Sequence, residues 1–203
     1  MILRRTLALL LLSAFAIFSA KAQQLTDRLP VDSLLRMGTL DNGATYYVRA
    51  NKKDPQRANF HILYKVGALQ EDDSQDGLAH FLEHMAFNGS KNFYGNQLID
   101  YMESIGVSNS SVNAGTAQQY TTYEITGVPV VRETIIDSLL LALHDWAGFI
   151  TLADEDIDNE RGVIREEMRT RNTAGNRMME KNALTDFGSN SIIARRNVIG
   201  TDD

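Results

Sequence analysis

The sequence predicts an α+β fold, a mixed and largely antiparallel sheet packed against helices. Three observations lead there. Short runs that alternate apolar and polar residues lie between turn signals. Amphipathic runs of helical period lie among them. The two kinds do not alternate strictly, as a doubly wound parallel sheet would require.

Taken in order, Met1 to Arg5 carries two arginines, Thr6 to Phe18 is almost wholly apolar, and Ser19-Ala20-Lys21-Ala22 places small residues at the positions a signal peptidase reads. This layout predicts a secretory signal over residues 1–22, cut after Ala22. About 13 apolar residues fall short of the roughly 20 that a membrane-spanning helix needs. Ala44 to Ala50, after the turn signal Asp41-Asn42-Gly43, predicts a strand. A second strand is expected from Arg57 to Val66, with Phe60, Ile62, Tyr64 and Val66 on one face. Ser74 or Asp76 is a candidate cap for a helix carrying "LAHFLEHMAF", and Gly89 suits its end. Gly95 to Ile105 reads as helix, Val107 to Ala114 and Tyr120 to Val128 as strands, and Val131 to Ile150 as a helix with Trp146 on its apolar side. Asp154 to about Leu184 reads as one long charged helix.

Export usually brings disulfides, but the chain has no cysteine, so a hydrophobic core must stabilise it. Residues 23–203 suffice for one domain of ordinary size. Removal of residues 1–22 takes away Arg4, Arg5 and Lys21 and no acid, so the net charge of −6 becomes −9. An acidic chain is a poor partner for nucleic acid or anionic membranes, and neither is expected once the signal is cleaved. The mature protein is expected to be exported, to the periplasm or beyond it.

Two of the chain's four histidines, His80 and His84, stand one helical turn apart with Glu83 beside them. Residues four apart share a helix face, so both imidazoles can reach one metal ion. Glu83 is turned to the flank, poorly placed to ligate and well placed to hold a water. This is an H-x-x-E-H arrangement. The alternative is a solvated pair of histidines flanking a glutamate. Catalytic zinc takes three protein ligands and keeps one position open. His61, on the polar face of a strand, and His144, beside Asp145, are weak candidates for the third. The helix "DNERGVIREEMRTR" offers Glu160, Glu166 and Glu167. With Ile157 and Ile164 marking its buried side, Glu160 lies about 40° and Glu167 about 60° from Ile164, and Glu166 about 160° away. Carboxylates beside an apolar stripe are costly to bury unless positive charge meets them.

The segments "HFLEH", "AFNGSKNFYGNQLIDYMESIG", "VNAGTAQQYTTYEI" and "NERGVIREEMR" resemble, in this order, the pitrilysin family of zinc peptidases, which includes insulin-degrading enzyme and the mitochondrial processing peptidase. The resemblance runs from about Asn42 to the end of the chain. It implies an N-terminal zinc-binding peptidase domain over residues 23–203, incomplete at its C-terminal end, that hydrolyses peptide bonds of exported peptides or unfolded proteins. By that resemblance one zinc is held per chain by His80, His84 and Glu167. Glu83 is the general base toward the zinc-bound water, and Glu160 is an auxiliary acidic residue. Asn113 and Ala114 lie on a strand edge that holds the substrate backbone. Gly115 stands where family members often carry a larger, frequently aromatic residue, which leaves selectivity at that subsite open. The family encloses substrate between two halves, and an arginine and a tyrosine of the second half complete the site. A partner half is therefore expected. The alternative function is a non-catalytic or truncated subunit of the same family.

Overall fold

A computed structural model of the chain describes residues 30–201, and the expected signal peptide lies outside them. Two compact units divide the chain near residue 53.

The first unit carries a hairpin of β1 (Leu35–Thr39) and β2 (Thr45–Arg49), paired antiparallel from Leu35↔Arg49 to Thr39↔Thr45. Its turn is the Asp41-Asn42-Gly43 signal. Asn42 Oδ1 accepts from the Ala44 amide at 3.0 Å, and Gly43 takes φ 85°, a left-handed value at which glycine has no Cβ to clash. The strand β2 matches expectation, whereas β1, with only Leu35 and Gly38 half-buried and no clean alternation, left no period-two pattern to read.

In the second unit β3 (Arg57–Tyr64), β4 (Val112–Thr116) and β5 (Thr121–Pro129) form an antiparallel sheet in the order β3-β5-β4. The helices are α1 (Leu78–Met85), α2 (Gln97–Ser104), α3 (Glu133–Gly148), α4 (Asp154–Arg171), α5 (Ala174–Phe187) and the short α6 (Ile192–Arg195). The α+β expectation holds. Alternation delivers Tyr123 and Ile125 of β5 to a core shared with Val112, with Leu98 and Met102 of α2, and with Ile135, Leu139, Ala142 and Trp146 of α3. Trp146 ties this core to the end of α1. Its indole stacks on Tyr123 with ring centroids 5.3 Å apart, and its Nε1 donates to the Ala86 carbonyl at 3.0 Å.

Two boundaries differ from expectation. The strand expected over Val107 to Ala114 begins only at Val112, because Ser108 to Ser111 folds into a 3-10 turn closed by Ser111 N donating to Ser108 O at 2.8 Å. The single long helix is two helices. Thr173 adopts extended φ and ψ and its hydroxyl accepts from the Asn176 amide, capping α5, while Arg177 donates to the carbonyl and side chain of Asn172.

The start of α1 also differs. Neither Ser74 nor Asp76 caps it. The buried Glu71 carboxylate reaches across instead, accepting from the amides of Gly77 at 2.9 Å and Ala79 at 2.7 Å, where the helix exposes unpaired N–H groups. Behind Glu71 the chain returns. Arg196 donates to Glu71 O at 3.0 Å and pairs with Asp73 at 2.8 Å and Asp76 at 3.4 Å. Gly77 and Gly200 then meet backbone to backbone. A Cβ on Gly77 would stand 2.8 Å from the Gly200 Cα, and both residues have positive φ. Among the described residues no helix is long and apolar enough to cross a membrane.

Candidate metal centre

Helix α1 presents His80 and His84 one turn apart, with Nε2 atoms 3.2 Å from each other. Glu167 of α4 brings Oε2 to 3.5 Å from His80 Nε2 and 3.3 Å from His84 Nε2. Ligands at about 2.0–2.1 Å around a tetrahedral metal stand about 3.3–3.4 Å apart. The three donors thus have the size of one face of such a tetrahedron. Glu167 Oε2 is buried and accepts no hydrogen bond, a costly state for a carboxylate oxygen that a cation would relieve. Its partner oxygen Oε1 pairs with Arg171 at 2.5 Å, which fixes the carboxylate. Among the described residues, these three form the cluster of histidine and acidic side chains able to hold an ion.

The protonation states agree with that use. Burial pushes the His80 imidazole down to about 4, aided by the neighbouring His84 charge, opposed by Glu167 and aided again by Arg171. At neutral pH it is uncharged and can offer a lone pair. His84 Nδ1 lies 2.8 Å from Glu160 Oε1, so the carboxylate selects the tautomer with its proton on Nδ1 and its lone pair on Nε2, toward the other two donors. Glu160 in turn accepts from Asn88 Nδ2 at 2.8 Å.

Glu83, buried, lies on α1 outside the donor triangle. Its Oε2 accepts from the Thr116 hydroxyl at 2.7 Å, which ties it to the end of β4. Asn113 and Ala114 occupy the same strand, which among the described residues pairs only with β5 and so forms an edge of the three-stranded sheet. Asn113 is exposed and Ala114 half-buried. A Cβ on Gly115 would meet only Thr122 Oγ1, at 4.0 Å, so the backbone is open there.

The remaining candidates stand apart from this cluster. His61 is exposed and faces Glu124 at 3.5 Å. His144 stacks on Phe149 and lies 3.2 Å from Asp145. Glu166 points outward and pairs with Arg169 at 2.5 Å. Three supporting side chains, Thr116, Asn88 and Arg171, left no sign in the sequence. Each acts by a directed hydrogen bond or ion pair, which leaves no periodic pattern. Their nearness to the motifs in sequence was the one available clue.

Two imidazoles and a carboxylate facing a common point, with a second carboxylate on the flank, define the H-x-x-E-H class of metallopeptidase centre. The profile of the insulinase family, peptidase family M16, matches residues 46–196, and the chain belongs to that family. It is 31% identical over 196 residues to the probable zinc protease PqqL of Haemophilus influenzae, covering 95% of this chain and 21% of that protein. Against the probable zinc protease PqqL of Escherichia coli the identity is 35% over 147 residues, covering 72% of this chain and 16% of that one. The chain therefore spans about a fifth of the length of these relatives. The crystal structure of the first half of the periplasmic protease PqqL from Escherichia coli superposes with a TM-score of 0.78 at 33% identity, covering 85% of this chain and 37% of that one. The crystal structure of pitrilysin, at 24% identity, shares the fold, with a TM-score of 0.66 over 88% of this chain and 18% of that one.

Proposed function

We propose that this chain is the zinc-binding catalytic domain of an exported metalloendopeptidase, with His80, His84 and Glu167 as ligands of one zinc ion and Glu83 as general base. The observation that carries the reading is the donor triangle, whose sides of 3.2, 3.3 and 3.5 Å fit a tetrahedral face. Zinc bound there supplies a Lewis acid and an acidified water. Glu83 takes a proton from the attacking water and returns it to the amine nitrogen as the C–N bond breaks. Thr116 holds one Glu83 oxygen, which leaves the other to meet the water. The free edge of β4 receives the peptide as an added strand at Asn113 and Ala114. Backbone pairing of that kind accepts many sequences, in keeping with peptides or unfolded proteins as substrate. The arrangement of residues 1–22 and the periplasmic location in the name of a relative support export to the periplasm. The relatives' greater length supports a second half, on the same chain or on a partner, that completes the site.

Elemental analysis of residues 23–203, purified without chelators in zinc-replete buffer, tests the metal. About one zinc per chain is expected, lost in His80→Ala and in His84→Ala. A metal-free wild type would overturn the assignment.

A further inference from the structure

We infer that Asn88 is a positioning residue for the metal centre. It acts through Glu160 to fix the orientation and tautomer of His84, and this rests on the zinc-site reading above. Asn88 sits in the turn that leaves α1, where its backbone amide donates to the Met85 carbonyl at 3.1 Å. That bond anchors it to the last turn of the helix that carries both histidines. Its side chain is half-buried and reaches α4. Nδ2 donates to Glu160 Oε2 at 2.8 Å on α4, with the Met85 sulfur as its other neighbour at 3.8 Å. Glu160 is thereby gripped at both oxygens, Oε1 by His84 Nδ1 and Oε2 by Asn88. A carboxylate held at one oxygen only can rotate about its last torsion and swing the imidazole with it. Held at both, it has one orientation. The Glu160 side chain is only 13% exposed, so little water can replace the amide if it is removed.

The chain His84–Glu160–Asn88 runs from α1 to α4 and back to the turn after α1. It closes a loop of hydrogen bonds around the two helices that supply every ligand. Glu167 stands two turns along α4 from Glu160, so the same bonds also set the helix spacing that brings Glu167 Oε2 to the histidines. Partners behind a ligand typically contribute 10–100-fold to metal affinity, and a group one step further back is expected to contribute about 3–10-fold.

The test is zinc affinity by chelator competition on residues 23–203, for wild type, Asn88→Ala, Glu160→Ala and the double variant, with metal-free thermal stability measured alongside. Asn88→Leu, which keeps bulk but cannot donate, is a second probe should the smaller side chain leave a cavity. The expectation is that both Asn88 variants weaken zinc about 3–10-fold, and that Asn88→Ala has little further effect once Glu160 is alanine. A purely structural role for Asn88 would lower the melting temperature of the metal-free protein and add fully in the double variant. Unchanged affinity in both Asn88 variants, or full additivity in the double variant, would overturn the inference. A wild type that binds no zinc would instead overturn the metal site itself, so the two failures are distinguishable.

Discussion

At the residue scale, the candidate donors were legible because helical geometry is strict. A spacing of four fixed the histidine pair, and the angle from Ile164 separated Glu160 and Glu167, both half-buried, from the exposed Glu166. The same angles could not say which of the two inward carboxylates ligates and which orients, since that depends on how α4 sits against α1. The structure places Glu167 in the triangle and Glu160 behind His84. Glu167→Gln is therefore expected to weaken zinc strongly, Glu160→Gln about 10–100-fold, and Glu166→Gln hardly at all, ranked by competition with a chromogenic chelator. If Glu166→Gln ranked worst, the phase of α4 would be wrong. The depressed pKa of His80 makes a second prediction, for the metal-free protein. The folded state resists protonation down to about 4, whereas the unfolded chain takes the proton near 6.5. The stability that neutral His80 contributes is present above about pH 6.5 and is lost as pH falls toward 4, on the order of 2–3 kcal/mol. Urea midpoints across that range should fall more steeply for wild type than for His80→Gln, and equal slopes would contradict the burial argument.

At the scale of elements, periodicity located α1, α2, α3, β3 and β5 but did not see the contacts that lock them. Asp145 is the clearest instance. It is fully buried on α3 and holds the loop after α1 through Ser90 Oγ at 2.8 Å, the Asn92 amide at 2.7 Å and Asn92 Nδ2 at 2.7 Å. Burial alone would raise its pKa, but these donors and His144 outweigh it and hold the carboxyl below its ordinary value. In sequence it is one acid in a helix and looks solvated. Asp145→Ala strands all three donors and is expected to cost about 3 kcal/mol of stability by urea unfolding, in metal-free and zinc-loaded protein alike. A cost below about 1 kcal/mol would mean the loop finds other partners. The break between α4 and α5 was missed for a related reason. A threonine hydroxyl and a neighbouring asparagine carry no hydrophobic signal, yet they outweighed the charged helical pattern on either side.

For the whole molecule, on the proposed reading a metal in the triangle would activate the water and Glu83 would serve as its base, whereas a peptidase transition state also needs donors for the developing oxyanion. Loss of one such donor costs on the order of 10²–10³ in rate. Residues 23–203 are therefore expected to bind zinc yet to cleave a quenched-fluorescent peptide very slowly, with turnover restored when the remainder of a full-length relative is supplied. Glu83→Gln is the control for contaminating proteases. Robust Glu83-dependent cleavage by these residues alone would show that the site is complete without such a half. The closing of Arg196 and Gly200 onto the start of α1 bears on the order of assembly. Arg196 meets its partners across 120 to 125 residues, among the longest closures in the chain, whereas the hairpin and helices form from near neighbours. Long closures come late in folding. During translation or translocation, His80, His84 and Glu167 emerge before Arg196 and Gly200, which pack behind the first turn of α1. The Gly77 and Ala79 amides pair with the nearby Glu71, but Arg196 holds Glu71 in turn, so pulse-labelled hydrogen exchange should find these amides protected after those of β3 and β5. The metal would then be captured by a helix still free at one end, and Arg196 and Gly200 would seal it on their arrival.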